Sequence, residues 1–347
     1  MKKVLLIILI SLSLVSFAQD SIYSLGLKAI EEGRWLEAEH LFIKAIDKGE
    51  DKLKCSYELA WAYYCNKEYP KAIKTLSPFI TDTADAALCD VYQLLGNAYD
   101  ENGQTNKAVS IYDEGLKKYP LAANLYLEKG NIKYKEGEYR EALYWYEKGI
   151  EADPNFASNY YRAAKVFLMS TEVVWGVLYG EIFMILEPES SRSREFSKEL
   201  FDAYFECIDT KSGKAETNFN NGVIVYSDSF ERKTLFPSVF DKLMTKAAQG
   251  KRYLNLASLI QIRKDFLSLL SREEKDFDNP LFKYERELIN NGLFEAYNYY
   301  LFAYGSTKES SSWINSHKAQ WNKLIKYLQS NPIPLDGNHF FSRYNME

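Results

Sequence analysis

The sequence predicts an all-α protein: about five helix-turn-helix repeats across residues 19–190, then a mostly helical domain across 191–347. Three observations predict it. Small and aromatic columns recur every 34 residues in the first half. The second half loses that period but keeps apolar residues at the three-to-four spacing of a helix face. Hydrophobic residues make up 46% of the chain, while Gly (17) and Pro (9) are too few for a low-complexity or collagen-like sequence.

Residues 1–18 stand apart from any fold. Lys2 and Lys3, an apolar run from Val4 to Val15 and the pattern Ser16-Phe17-Ala18 have the form of a secretory signal, with the mature chain expected to begin at Gln19. The run is shorter than the roughly 20 residues of a membrane-spanning helix, and no later segment reads as one. Gln19 stands where a lipid-modified protein would need Cys. The expectation is export to the periplasm or the medium. Charge adds little, since 43 Lys and Arg against 48 Asp and Glu give −5, and nucleic-acid binding by bulk charge is not expected.

The repeats declare themselves by phase. Leu95-Gly96-x-x-Tyr99-x-x-x-Gly103 and Lys129-Gly130-x-x-Lys133-x-x-x-Gly137 lie 34 residues apart, and Ala108, Tyr112, Gly115 and Pro120 have Ala142, Tyr146, Gly149 and Pro154 as counterparts. The frame extends to units 19–52, 53–88, 89–122, 123–156 and 157–190, with two extra residues in the 81–87 loop. Small residues fill one column of each first helix (Gly26, Ala60, Gly96, Gly130, Ala164) and one of each second helix (Ala38, Ala72, Ala108, Ala142, Gly176). Paired helices cross closely there, and a larger side chain would part them. The fifth unit is degenerate: Gly180 stands where the others carry Phe42, Leu76, Tyr112 and Tyr146. Past residue 190 the frame would place Lys198 and Thr210 in the small columns, so the array is expected to end there.

This pattern resembles the tetratricopeptide repeat, a pair of antiparallel helices per 34 residues. The resemblance implies a right-handed α-solenoid whose first helices line a concave groove holding a partner protein or peptide. It also implies which positions face that groove: Tyr57, Gln93 and Tyr161 at the fifth position of their units, Arg162 at the sixth, Trp61, Asn97, Asn131 and Lys165 at the ninth, Tyr64 and Tyr134 at the twelfth. Rings supply contact area at low entropic cost, and amides can pair with a ligand backbone. Some family members clamp a C-terminal carboxylate with Lys and Asn, but Tyr23, Leu27, Glu58, Asp90 and Leu94 occupy those places, so that mode is not expected. Glu58, Asp100, Glu101 and Glu128 would make the middle of the groove acidic, and Arg162 with Lys165 its far end basic.

In the second half, Phe196, Leu200, Phe201, Tyr204 and Phe205 form an apolar stripe suited to cover the last repeat. Asn218–Tyr226 is the one strand-like stretch, with Asn221-Gly222 as its turn. Helices are expected from Pro237 and from Pro280, the latter capped by Asn279. One more should follow Ser310-Ser311-Ser312, carrying Ile314, His317, Trp321, Leu324, Ile325 and Leu328 on one face and ending before Pro332.

The sequence contains no His-Glu-x-x-His, Cys-x-x-Cys, phosphate loop or dinucleotide loop, so no metal, no cofactor and no catalysis are expected. Tyr304-Gly305-Ser306-Thr307-Lys308 reads as a helix end and turn, and Asp276-Phe277-Asp278-Asn279 as a helix cap. Cys55, Cys65, Cys89 and Cys207 are expected as free thiols; the first two, on one helix, would stand about 15 Å apart. Asp82-Thr83-Ala84 resembles a short O-glycosylation signal of exported bacterial proteins. The functional expectation is a non-enzymatic scaffold or adaptor of the bacterial cell envelope that binds a protein or peptide, with oligomerisation open. Its rivals are a carbohydrate-binding envelope protein using exposed Trp and Tyr, and an enzyme in 191–347 using His317 or His339.

Overall fold

The computed structural model describes residues 21–80, 88–188, 190–211, 214–220 and 236–346. The expected leader, Asp82-Thr83-Ala84 and the Asn221-Gly222 turn lie outside them. The described chain is all-α apart from one pair of two-residue strands, and it divides into two compact units, residues 1–108 and 109–347.

The first unit contains α1 (Ile22–Glu31), α2 (Trp35–Asp47), α3 (Lys52–Cys65), α4 (Tyr69–Leu76), α5 (Leu88–Glu101) and the start of α6 (Thr105–Lys118). Ser21 and Asp51 open α1 and α3 by accepting from the backbone N–H groups of Ser24 and Lys54, which removes one orphan donor from each helix start. The turn after each first helix passes through the left-handed region at the same repeat position, at Gly33 (φ 69°), Lys67 (61°) and Gly103 (74°). The small first-helix column is explained by contact: a Cβ on Gly26 would stand 2.6 Å from the Phe42 ring. The interior is apolar, with Ala29, Phe42, Leu59, Ala60, Leu76 and Leu95 all buried.

The second unit takes in the rest of α6, then α7 (Ala123–Lys135), α8 (Tyr139–Ala152), α9 (Ala157–Leu168), α10 (Val173–Leu186) and α11 (Ser191–Cys207). After these come β1 (Ile208–Asp209) and β2 (Glu216–Thr217), paired antiparallel, and α12 (Phe236–Ala248), α13 (Leu256–Glu273), α14 (Pro280–Asn290), α15 (Phe294–Leu301), α16 (Thr307–Ser316) and α17 (Lys318–Ser330). One hydrophobic cluster runs from Leu127 to Met346, so the loss of sequence period at residue 190 is no break in the packing. The helix between them shows why: α10 is buried on every side from Val174 to Met184. Gly180, the degenerate position, lies under Phe196 of α11, whose ring would be 2.2 Å from a Cβ there. The aromatic missing from the fifth repeat is supplied by the next helix.

Asn279 caps α14 as expected, accepting from Phe282 N at 3.1 Å. Two expectations are corrected. The described strand residues are 216–217, paired with 208–209, and 218–220 are not strand. The helix expected after Ser312 begins earlier, at Thr307, and is two helices, because His317 leaves helical geometry (φ −122°, ψ 35°) between α16 and α17. Its ring stacks on Trp313 at 4.5 Å. Beyond α17 the chain returns to α8 and α10: Phe341 is buried against Tyr179, and Arg343 pairs with the buried Glu147 at 2.8 Å.

Candidate peptide-binding face

In the first unit the first helices of the repeats, α1, α3 and α5, lie side by side. On α3, Tyr57 and Trp61 are one turn apart and share a face. Trp61 is 37% exposed and stacks on Tyr64 with ring centroids 5.8 Å apart and planes 19° off parallel; Tyr64 in turn meets Tyr69 of α4 edge-on at 5.6 Å. Burial, reinforced by the charges of Asp90 and Glu58, pushes the Tyr57 hydroxyl up to about 12. Burial also raises the Glu58 carboxyl, against the pull of Tyr23, whose hydroxyl donates to Glu58 Oε1 at 3.4 Å. Gln93 and Asn97 sit half-buried on α5. The result is an aromatic ladder flanked by carboxylates.

The first-helix positions of the second unit are used differently. Asn131 donates to Glu128 Oε2 at 2.9 Å and accepts from the Tyr146 hydroxyl at 3.1 Å, so both ends of its amide are engaged within the unit. Tyr134 packs edge-on against Tyr139 at 5.4 Å, repeating the Tyr64–Tyr69 contact as part of the helix turn. Tyr161 lies against Phe183 (4.9 Å) and Phe196 (5.9 Å), with the Arg192 guanidinium 5.1 Å from its centroid. The expected basic end is reduced to one charge. Lys165 Nζ donates to both oxygens of Glu199 at 2.6 and 2.8 Å, a partner on α11 that lay beyond the repeat frame, while Arg162 stays exposed.

The structure also contains a polar centre that sequence reading did not single out. Arg263 of α13, Glu181 of α10, Glu285 of α14 and Asn298 of α15 are each less than 5% exposed. The guanidinium bonds to Glu181, to Glu285 at 2.5 Å and to Asn298 Oδ1 at 2.5 Å, and the Tyr204 hydroxyl donates to Glu181 at 2.7 Å. Burial holds the Glu285 carboxyl well above the usual carboxylate range despite Arg263 beside it, and the nearby charge of Glu181 adds to the effect. A signal existed: Glu181 is the only charge in Val173–Leu186, and Arg263 falls on the apolar face of α13. The centre ties five helices together, α10, α11, α13, α14 and α15.

The histidines are peripheral. His40, His317 and His339 are exposed, and His339 Nδ1 is 3.2 Å from both Asp336 oxygens. Among the described residues no group of three His, Cys, Asp or Glu side chains could hold a metal ion, and no helix is long and apolar enough to cross a membrane. The four cysteines are unbridged.

Antiparallel helix pairs in a 34-residue frame, with small residues at their crossings, define a helical-repeat protein of the kind that serves as a protein-binding scaffold. Residues 23–77 and 94–155 match the tetratricopeptide repeat family, and this part of the chain is built of tetratricopeptide repeats. Solved structures similar to it include the following two. TTC0263, a thermophilic tetratricopeptide-repeat protein of Thermus thermophilus, is 17% identical, with 53% of this chain and 97% of that one covered and a TM-score of 0.43. The TPR2AB domain of yeast Sti1, in complex with pHSP90, is 20% identical, with the same coverage and a TM-score of 0.26. No curated protein matches the chain.

Proposed function

We propose that this is a non-enzymatic, exported scaffold that holds a partner protein through an extended basic segment laid on the α1, α3 and α5 face of the first unit. Trp61 carries the reading. It is a large ring left exposed and held flat by Tyr64, and a preorganised ring of this kind contributes contact area without a large ordering cost. Glu58 and Asp90 give the face its negative sign, so a Lys- or Arg-bearing segment is the complementary ligand. The pattern from Lys2 to Ala18 supports export.

Titration of the full chain with extended peptides matched in hydrophobicity but carrying either Lys or Glu tests the sign. The basic peptide should bind, with salt-dependent affinity, and Trp61→Ala should weaken it at least about tenfold. Cross-linked capture from the source envelope, parent against Trp61→Ala, then names the natural partner. Equal binding of both peptides, or parent-like affinity in Trp61→Ala, would reject this face as the site.

A further inference from the structure

A cavity of about 350 Å³ opens in the second unit between α10, α11 and α15–α17. Its size falls at the lower end of the roughly 300–1,000 Å³ typical of small-molecule sites. Three features of its wall point to one class of ligand. Tyr304, Thr307, Ser310 and Ser311 bring hydroxyls to it, and the half-buried Trp321 contributes an indole. Among the described residues of the lining Arg194 brings the only formal charge, and none of them is Asp or Glu.

Two of these groups lack partners among the described residues. Ser310 is 1% exposed and its Oγ is buried without a hydrogen bond, which is costly for a hydroxyl unless something else satisfies it. Arg194 is exposed and makes no ion pair among the described residues, whereas the other cations of α11 are paired, Arg192 with Glu187 and Lys198 with Asp202. The first turn of α16 adds to the site. Its cap residue Ser306 donates its hydroxyl to the Glu309 carboxylate at 3.2 Å and makes no side-chain bond to the backbone of that turn, of which Thr307 lines the cavity. The neighbouring Lys308 and Glu309 line a separate cleft beside Trp313.

We propose that this cavity binds a sugar-sized anion: a compact molecule with several hydroxyls and one carboxylate or phosphate. The anionic group pairs with Arg194 near the start of α16, the ligand hydroxyls meet Ser310, Ser311 and Tyr304, and an apolar ring face lies on Trp321. The assignment is independent of the peptide face, which belongs to the other unit.

Isothermal titration of the full chain with glucuronate, glucose 6-phosphate, glucose, acetate and inorganic phosphate tests it, and the first two probes distinguish carboxylate from phosphate. At least one of them should bind about tenfold or more tighter than glucose, acetate and inorganic phosphate. Arg194→Gln should weaken that binding at least about tenfold. Ser310→Ala should weaken it several-fold while the unliganded thermal midpoint stays level or rises, because an unsatisfied hydroxyl is removed. Trp61→Ala should bind the anion like the parent. The proposal is overturned if neither sugar anion gives heat, if acetate or inorganic phosphate alone binds as tightly, or if folded Arg194→Gln binds unchanged.

Discussion

In residues 21–108 the charged side chains stay at the surface, and Ser56 is the one buried polar side chain among those described. In residues 109–346 the interior takes in Glu147, Glu181, Arg263 and Glu285. Both regions are built from helices of similar length, so the difference lies in how each helix is covered. A helix of a bare repeat stack buries one stripe and leaves a polar face to water. Once α11 and the C-terminal tail cover α8 and α10 from further sides, a carboxylate on those helices becomes interior and has to find a partner. Arg343 meets Glu147, and Arg263 meets Glu181 and Glu285. Covering a repeat array therefore converts surface charge into buried pairs.

The largest expected effect follows from removing one of those partners. Arg263→Ala leaves Glu181 and Glu285 buried without their cation, and the second unit should lose about 3–5 kcal/mol in urea denaturation. Replacing the set together, Arg263→Met with Glu181→Leu and Glu285→Leu, should recover much of that loss, because no charge is then left unpaired. If Arg263→Ala behaves like an exposed substitution, within about 0.5 kcal/mol of the parent, the contrast between the two units fails.

A smaller effect concerns protons. The folded state raises the Glu285 carboxyl, so its contribution to stability is fully present below the unfolded value of about 4.3 and is lost as pH rises toward the folded value. Glu285→Gln carries a neutral group at every pH and lacks that loss. Thermal midpoints measured from about pH 4 upward should show the difference between parent and variant changing in the variant's favour as pH increases. Parallel profiles would mean that Glu285 is as ionised in the fold as in the unfolded chain.

What the sequence made legible divides along the same line. The helices of the repeats could be placed from Gly26, Ala60, Gly130 and their columns, because each repeat satisfies its packing locally and the period reports it. The same period placed Tyr57, Trp61 and Tyr64 together on α3. The pairing of Lys165 with Glu199 was hidden because Glu199 lies on a helix outside the period. The break at His317 was hidden since Ile314, Trp321 and Leu324 keep helical spacing across it, with no Gly or Pro to mark the stop. Arg194 could not be recognised either, because its setting is assembled from α11, α16 and α17, far apart in the chain.

The smallest effect sharpens the account of the first unit. Lys67 holds φ 61° at the turn position where Gly33 and Gly103 sit in neighbouring repeats, and it makes the same bond, N–H to Tyr64 O at 2.9 Å. An L-residue with a Cβ is strained there by roughly 1–2 kcal/mol. Glycine removes the strain but gains freedom in the unfolded chain, so the net effect of Lys67→Gly should be a stabilisation of at most about 1 kcal/mol. The side chain is exposed and pairs with no carboxylate among the described residues, so little is lost with it. The gain should appear in the unfolding transition of the first unit alone, with the Arg263-dependent transition unmoved. A destabilised Lys67→Gly would show that the unfolded-state entropy outweighs the left-handed strain, and that this repeat keeps lysine at no cost to its turn.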